Sequence, residues 1–261
     1  MKLLSIGNSF SIDSQRYVRE IAAAAGVDLE LGNLYIGGCS LERHCENMAS
    51  GKPAYEYFIN NKGVGQASLQ TALNDDEWDF ITLQQASHFS GIEDTYYPYI
   101  TDLAAYVRKT VPNAEILVNQ TWAYESSSTH SAFPNYNCDR VLMHERLTAA
   151  YEKAARSISA RIIPVGNAVC IARTNDRFNP EAGGIALTRD GFHLSLVYGR
   201  YLAGAVWFEF LTGKDVRDNT FVPYTYEYKG KNVQPEPIPE SAPDAELLAL
   251  LKEIAHTAVN E

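Results

Sequence analysis

The chain has 261 residues, 46% of them hydrophobic, and a formal net charge of -10 at pH 7. This length and apolar content suit a single α/β domain with a sizeable core. The acidic balance, and the lack of any lysine- or arginine-rich run, argue against nucleic acid or an anionic membrane surface as a partner. No apolar run approaches the length that crosses a bilayer, so no membrane span is predicted.

The N-terminal residues Met1-Lys2-Leu3-Leu4 look like the start of a signal peptide, but Gly7-Asn8-Ser9 follows before an apolar segment of sufficient length can form. We therefore expect a cytoplasmic protein, or a periplasmic or secreted one if a leader peptide was trimmed from this sequence. The sequence leaves both the compartment and the oligomeric state open.

Short β-branched runs alternate with stretches of helical periodicity. The predicted strands are Leu3–Ile6, Leu29–Ile36, Phe80–Leu83, Ile116–Val118 and Ile162–Val165. The predicted helices are Gln15–Ala25, Tyr99–Val111, Asp139–Ser159 and Leu196–Leu211. This alternation predicts an α/β fold, a three-layer sandwich with a flavodoxin-like, doubly wound parallel five-stranded sheet.

The pattern changes after Gly213. Val222–Pro243 is rich in proline, carries a short tyrosine-rich stretch and has no helical period, so we expect an arm that runs over the surface. Asp244–Val259 returns to helical spacing and predicts a terminal amphipathic helix. We therefore expect a core domain over residues 1–212, with an arm and helix over residues 213–261 packed on that same domain.

The first predicted strand ends at Gly7 and is followed, two residues later, by Ser9 and a segment with helical spacing. This pattern predicts a strand, a tight turn and a helix N-terminus. A serine there would stand at the end of a strand in the positive field of the helix dipole, which favours developing negative charge. Serine is also a common N-cap residue, so Ser9 or Ser11 could instead only cap the helix.

Near the other end of the chain, Asp190 and His193 lie three residues apart around Gly191. Alone, this pair could be an ordinary surface turn before a helix. Together with Ser9 it completes the parts of a nucleophile–base–orienter triad. His193 would take the proton of the Ser9 hydroxyl, and Asp190 would hold the other ring nitrogen of His193.

The four cysteines, Cys39, Cys45, Cys138 and Cys170, match no zinc-binding pattern, and a chain of this size needs no disulfide framework. Cys39, His44 and Cys45 are close in sequence, but their spacing favours small buried or half-buried thiols near a loop. We predict no metal site and no cofactor.

Gly7-Asn8-Ser9-Phe10-Ser11 resembles the Gly-Asp-Ser-Leu-Ser block of the SGNH/GDSL hydrolase superfamily, with Asn8 where aspartate is usual. Asp190-Gly-Phe-His193 resembles the superfamily's Asp-x-x-His block, and Gly37-Gly38 stands where its second block supplies a glycine. The resemblance covers roughly residues 1–212. It implies that Ser9, Asp190 and His193 are catalytic, and that the backbone N–H groups of Ser9 and Gly38, or Gly37, form part of the oxyanion hole.

One block departs from the superfamily, which usually has Gly-x-Asn-Asp after the third strand. This chain has Leu83-Gln84-Gln85-Ala86-Ser87, similar to an uncharacterised bacterial branch of the superfamily and to the Gln-Gly-Glu block of some sugar O-acetyl esterases. A glutamine amide can donate the hydrogen bond that the usual asparagine supplies. The comparison therefore implies Gln84 as the oxyanion donor in preference to Gln85. The alternative is that Gln84 only bonds loop backbone at the strand end.

The Gly-x-Ser-x-Gly elbow of α/β-hydrolases is excluded because residue 11 is serine, because Ser9 comes at the very start of the chain, and because in that fold the acid lies far from the histidine in sequence. Polar, aromatic loops follow two predicted strands and suit a sugar ring, although such residues also serve as ordinary loop anchors. Candidate substrate-binding residues are Gly37, Gln85, His88, Trp122 and Tyr124; His130 is a weaker candidate.

These features predict a serine esterase that removes a small acyl group, with acetyl preferred, from a carbohydrate or similar polar molecule through an acyl-enzyme. The partner would be a small-molecule or glycan ester. A lipase, lysophospholipase or thioesterase with the same triad is the main alternative. A non-catalytic carbohydrate-binding protein is disfavoured because all three triad residues are present.

Overall fold

The computed structural model describes residues 1–224, 226–227, 236–237 and 243–261. The main sheet contains β1 (Lys2–Gly7), β2 (Glu30–Tyr35), β3 (Tyr55–Ile59), β4 (Lys62–Ala67), β5 (Phe80–Leu83), β6 (Glu115–Asn119) and β7 (Arg161–Ile163). A separate antiparallel pair consists of β8 (Tyr226–Glu227) and β9 (Glu236–Pro237). The helices are α1 (Ser9–Gln15), α2 (Val18–Ala24), α3 (Leu41–Ser50), α4 (Leu69–Leu73), α5 (Tyr99–Thr110), α6 (Arg140–Ser157), α7 (Val165–Arg173), α8 (Tyr198–Thr212) and α9 (Ala245–Asn260).

The seven strands of the main sheet lie in the order β4-β3-β2-β1-β5-β6-β7. Five of these strands, β2, β1, β5, β6 and β7, pair in parallel, which confirms the predicted doubly wound α/β fold. Helices cover the sheet on both sides. The parallel strands place their carboxyl ends along one edge, so the segments that follow β1, β2, β5 and β6 lie near one another.

The sequence analysis missed the hairpin β3–β4, which extends the sheet antiparallel to β2. Its turn is formed by Asn60 and Asn61, both with positive φ (51° and 64°), a conformation that asparagine tolerates. β4 is largely exposed and contains Gly63 and Gly65, so it lacks the apolar run that predicts a strand.

The helices form two groups by their mutual contacts. On one side α8 contacts α1, α2, α7 and α9, and on the other α3 contacts α4 and α5. α8 is apolar around most of its circumference and is almost entirely buried, as expected for a helix covered on several sides. α9 supplies one of those covers through buried residues such as Leu251 and Ala255.

Most predicted helices are confirmed with small shifts in their ends, but the stretch predicted at Gln15–Ala25 is two helices, α1 and α2. Helices α3, α4 and α7 were not predicted. The predicted arm, Val222–Pro243, lies mostly outside the described residues, and the division at residue 212 stays a prediction. None of the helices described is long and apolar enough to span a membrane.

Candidate active site

Ser9 is the first residue of α1, directly after the turn that ends β1. The N-cap of this helix is Asn8, whose backbone is extended and whose Oδ1 accepts a hydrogen bond from the Phe10 N–H at 3.0 Å. Asn8 Nδ2 also donates to the carbonyl of Cys39 at 3.1 Å. Because Asn8 supplies the capping side chain, the half-buried side chain of Ser9 is not used as a helix cap and can contact other residues.

Gly7 allows this turn to be tight. A Cβ on Gly7 would lie 2.4 Å from Ser11 Oγ, so a larger residue would displace Ser11. The Ser11 hydroxyl is buried and donates towards two acceptors, the Asn8 carbonyl at 2.8 Å and Asn33 Oδ1 at 3.0 Å. Ser11 therefore supports the turn, and neither Ser9 nor Ser11 is the helix cap.

Ser9, His193 and Asp190 lie in hydrogen-bond contact although residues 9 and 193 are far apart in sequence. Ser9 Oγ is 2.8 Å from His193 Nε2, and His193 Nδ1 is 2.7 Å from Asp190 Oδ2. Asp190 Oδ1 accepts the backbone N–H of His193 at 2.7 Å and that of Phe192 at 3.2 Å. The Asp190 carboxylate thus holds both the backbone and the ring of His193.

The electrostatics of this turn favour a charged Asp190. Partial burial alone would raise the pKa of Asp190. The hydrogen bond from the His193 ring, its charge and the two backbone N–H groups outweigh that effect, so the pKa of Asp190 is lowered from its usual value. An ionised Asp190 accepts the Nδ1–H of His193, which leaves Nε2 as the acceptor that faces the Ser9 hydroxyl.

The structure places Gln84 differently from the oxyanion role that the sequence comparison implied. Its side chain is 1% exposed, its Nε2 donates to Asn8 Oδ1 at 2.8 Å, and its Oε1 accepts from Asn119 Nδ2 at 2.8 Å. Asn119 Oδ1 in turn accepts from Trp207 Nε1 at 3.1 Å. Gln84 therefore belongs to a buried chain of hydrogen bonds behind the turn, Asn8–Gln84–Asn119–Trp207.

Three of the candidate substrate-binding residues are fully buried and have structural contacts instead. Gln85 accepts from the Leu41 N–H and donates to the Thr95 carbonyl. Trp122 stacks on Phe10 with ring centroids 4.3 Å apart and donates from Nε1 to the Phe192 carbonyl at 2.7 Å. The Tyr124 hydroxyl bonds Ser87 Oγ at 2.9 Å. These three side chains are engaged in contacts within the protein and expose no surface to a ligand.

Gly37 and Gly38 lie in the turn after β2 and are exposed. Gly38 has φ +61°, a backbone conformation that glycine adopts without strain. The backbone N–H groups of Gly38 and Ser9 have no hydrogen-bond acceptor within the part of the chain that the structure describes. Both donors are thus available to a ligand.

A group of half-buried rings, His88, His130 and Phe192, borders the triad. The ring centroid of Phe192 lies 4.3 Å from that of His193 and 4.8 Å from that of His130. The ring centroids of His88 and His130 are 6.3 Å apart. Burial lowers the pKa of His130, and the charge of His193 lowers it further. Burial likewise lowers the pKa of His88, with a second contribution from the charge of His130. Sequence reasoning missed Phe192, although its position between Gly191 and His193 could have indicated it.

Cys39 Sγ lies 3.5 Å from His44 Nδ1, but the possible ligand atoms of Cys39, His44 and Cys45 form no three-residue cluster among the described residues. Burial raises the pKa of Cys39 to about 12, and Cys45 Sγ donates to the Tyr99 carbonyl at 3.2 Å. His44 is fully buried and its Nδ1 bonds the Tyr55 hydroxyl at 2.9 Å. Cys39 is buried and Cys45 is half-buried, in agreement with the buried or half-buried thiols that the sequence predicts.

Comparison with known proteins identifies the family. The model of a domain of unknown function, DUF4886, matches residues 2–237. The chain belongs to the DUF4886 family. A crystal structure of a DUF4886 protein from Bacteroides uniformis is similar at 35% identity and a TM-score of 0.85, over 99% of this chain and 94% of that one. No functionally curated protein matches the sequence.

More distant structures share the fold. A protein described as a proposed SGNH hydrolase from Slackia heliotrinireducens is 21% identical with a TM-score of 0.54, over 80% of this chain and 97% of that one. A lipase/acylhydrolase from Enterococcus faecalis is 14% identical with a TM-score of 0.53, over 81% and 95%. The resemblance to the SGNH hydrolases noted in the sequence is thus borne out at the level of the fold.

Proposed function

We propose that this DUF4886 protein is a serine esterase that works through an acyl-enzyme on Ser9. The observation that carries the proposal is the continuous hydrogen-bonded relay from Ser9 Oγ to His193 Nε2, at 2.8 Å, and from His193 Nδ1 to Asp190 Oδ2, at 2.7 Å. Both distances lie within hydrogen-bond reach, which a general base and its orienting group require.

In this mechanism the Ser9 hydroxyl attacks the ester carbonyl while its proton passes to His193 Nε2. The resulting imidazolium is stabilised by the ionised Asp190. His193 then gives the proton to the departing alcohol oxygen, leaving an acyl group on Ser9. Water, deprotonated by His193, attacks that acyl group, and the proton returns to Ser9 as the carboxylic acid leaves.

The tetrahedral intermediates need donors for their oxyanion. We assign these to the backbone N–H groups of Ser9 and Gly38, both without an acceptor among the residues described. The Ser9 N–H lies at the positive end of α1, which favours negative charge. A donor of this kind typically contributes about 2.7–4 kcal/mol to transition-state stabilisation. Gln84 is not included, because its amide is used within the buried chain behind Asn8.

The surroundings of Ser9 favour a small acyl group on a polar molecule such as a carbohydrate. The bordering side chains are two histidines and one phenylalanine, and the turn beside Ser9 presents exposed glycine backbone. Imidazole and aromatic faces can stack on a sugar ring and bond its hydroxyls, whereas long acyl chains need an extended aliphatic surface. An O-acetylated carbohydrate is therefore the proposed substrate class. A lipase, lysophospholipase or thioesterase is the alternative.

Two measurements test the proposal. A fluorophosphonate probe should label the wild-type protein on Ser9 and should fail to label Ser9→Ala. Hydrolysis of p-nitrophenyl esters of increasing chain length should be fastest with acetate, while a maximum at long chains would favour the lipase alternative. Absence of labelling and of turnover in folded wild-type protein would exclude the esterase and favour a carbohydrate-binding role.

A further inference from the structure

The nucleophile and its base belong to distant parts of the chain, and one buried carboxylate joins those parts. Asp13 lies four residues after Ser9 on α1, about one helical turn away and on the same side of the helix. Its side chain is 1% exposed. We infer that Asp13 is a positioning residue that fixes the loop carrying Asp190 and His193 against the helix carrying Ser9. This inference rests on the proposed function.

The Asp13 carboxylate accepts hydrogen bonds from three residues. Arg189 and Leu194 flank the segment from Asp190 to His193, and Arg200 follows it. Oδ2 accepts the backbone N–H of Leu194 at 2.9 Å, directly after His193. Arg189 Nη1, directly before Asp190, lies 3.0 and 3.1 Å from the two carboxylate oxygens. Arg200, at the start of α8, contributes Nε at 2.8 Å and Nη2 at 2.7 Å to Oδ1. The residues immediately before and after the Asp190–His193 segment are therefore both tied to one carboxylate.

Contacts across the loop couple its base, at Thr188 and Leu194, to its tip, at Asp190 and His193. Thr188 and Leu194 form an isolated β-bridge, and the Arg189 N–H donates to the His193 carbonyl at 2.9 Å. The Arg189 guanidinium also bonds the Leu194 carbonyl, so it crosses from one side of the loop to the other. Asp190 and His193 thus sit at the tip of a narrow, cross-linked loop whose base rests on Asp13.

The other contacts of this loop do not replace Asp13. The Glu125 N–H donates to the Gly191 carbonyl at 2.8 Å, and Trp122 Nε1 bonds the Phe192 carbonyl at 2.7 Å. Glu125 and Trp122 both lie on the segment after β6, so these two hydrogen bonds attach the tip of the loop to that segment. Apart from the Ser9–His193 contact itself, Asp13 is the only residue of α1 that joins the loop, among the hydrogen bonds that the structure describes. The Ser9–His193 distance therefore depends on this carboxylate.

Removing the charge of Asp13 would leave Arg189 and Arg200 facing each other without their shared partner. An asparagine at position 13 could still accept the Leu194 N–H, but it would be a weaker acceptor for the guanidinium groups. We expect the loop base to open and His193 to move relative to Ser9. Because a misplacement of about 1 Å can cost on the order of 10²-fold in rate, a folded variant should lose kcat.

The test compares Asp13→Asn and Asp13→Glu with Glu209→Gln. Glu209 is a matched control because it is also a buried carboxylate, and it bonds the Val216 N–H and His256 Nδ1. Asp13→Asn should lower kcat for p-nitrophenyl acetate by about 10- to 100-fold with little change in KM. The rate at which a fluorophosphonate probe labels Ser9 should fall in Asp13→Asn by a factor similar to that of kcat. Asp13→Glu should recover part of the lost rate. Glu209→Gln should lower Tm yet keep wild-type kcat.

A crystal structure of Asp13→Asn decides the point without relying on activity. We expect Ser9 Oγ and His193 Nε2 to lie beyond hydrogen-bond distance there, and to keep their contact in Glu209→Gln. An unchanged Ser9–His193 contact with wild-type kcat in Asp13→Asn, or an equal loss of kcat in Glu209→Gln, would overturn the inference. If wild-type protein neither turns over esters nor reacts with the phosphonate, the proposed function fails, while the crystal structures still decide whether Asp13 positions the loop.

Discussion

Gln84 donates a hydrogen bond over 2.8 Å to the side-chain oxygen of Asn8, the residue that caps the helix carrying Ser9. Asn8 Oδ1 thereby accepts two hydrogen bonds, one from Gln84 and one from the Phe10 backbone. The glutamine that replaces the asparagine expected in the third block thus supports the nucleophile's turn from behind. We therefore expect any effect of Gln84 on turnover to be indirect.

This relationship predicts that Gln84→Ala mainly lowers stability. The substitution removes one of the two hydrogen bonds that Asn8 Oδ1 accepts and leaves Asn119 Nδ2 with only its 3.5 Å contact to Ser14 Oγ. A buried polar group left unsatisfied typically costs about 1–3 kcal/mol. We expect a clear fall in Tm and a decrease in kcat of less than about tenfold, below the loss of an oxyanion donor. The exposed Gln66→Ala is the control and should match the wild type in both. A folded Gln84→Ala enzyme with unchanged Tm and a kcat lowered by about 10³-fold would restore the oxyanion role.

The triad residues should differ in how much their loss costs. Ser9→Ala and His193→Ala should each lower kcat on the order of 10⁶-fold, since each removes a step of the same chemistry. Asp190→Ala should cost less, because the imidazole remains and loses only its partner and orientation. Steady-state kinetics on p-nitrophenyl acetate measures all three. Turnover in Ser9→Ala close to the wild type would mean that another nucleophile acts.

Gly191 and Gly183 form a matched pair, because both have positive φ (87° and 84°). A Cβ on Gly191 would lie 2.9 Å from Ser128 Cα, whereas one on Gly183 would meet open space. Both alanine variants should lose some stability because of the backbone conformation. Only Gly191→Ala should also lower kcat, since the clash displaces the turn between Asp190 and His193. Equal kcat in the two variants would contradict this.

Stability should fall as the pH drops below about 6.5, partly because of His44. Burial, and secondly the charge of Arg43, lower the pKa of His44 to about 3. The unfolded chain therefore binds a proton at this residue between pH 6.5 and 3 that the folded protein does not bind. The resulting loss of unfolding free energy is up to about 1.4 kcal/mol per pH unit.

Denaturant unfolding at several pH values tests the role of His44. His44→Gln keeps a group that can bond the Tyr55 hydroxyl but cannot be protonated in this range. We expect its unfolding free energy to depend less on pH between 6.5 and 4 than that of the wild type. An identical slope in the two proteins would show that other groups cause the acid sensitivity.

The sequence was most informative where the signal was local. The strand that ends at Gly7, the serine two residues later and the Asp190–His193 spacing each lie within a few residues, and the structure brings them together. Likewise, five buried strands alternating with helices were sufficient to predict the parallel sheet.

Roles that depend on distant partners could not be predicted. Gln84 was assigned by its position after β5, but its contacts depend on Asn119 at the end of β6 and on Trp207 in α8. Trp122 and Tyr124 have suitable chemistry for a sugar site, yet packing against Phe10 and Ser87 buries them. Asp13 gave no signal in the sequence, because its partners are about 180 residues away along the chain.

Trapping an acyl-enzyme would show whether Ser9 is the nucleophile. Folded wild-type protein is mixed rapidly with excess p-nitrophenyl acetate, quenched with acid and digested, and the modified peptide is identified by mass spectrometry. We expect a burst of nitrophenol approaching one equivalent of protein where deacylation is the slower step, and an acetyl group on Ser9 that is absent from Ser9→Ala. Turnover with no acetyl group on Ser9, or with the acetyl group on another residue, would contradict the proposal that Ser9 is the nucleophile.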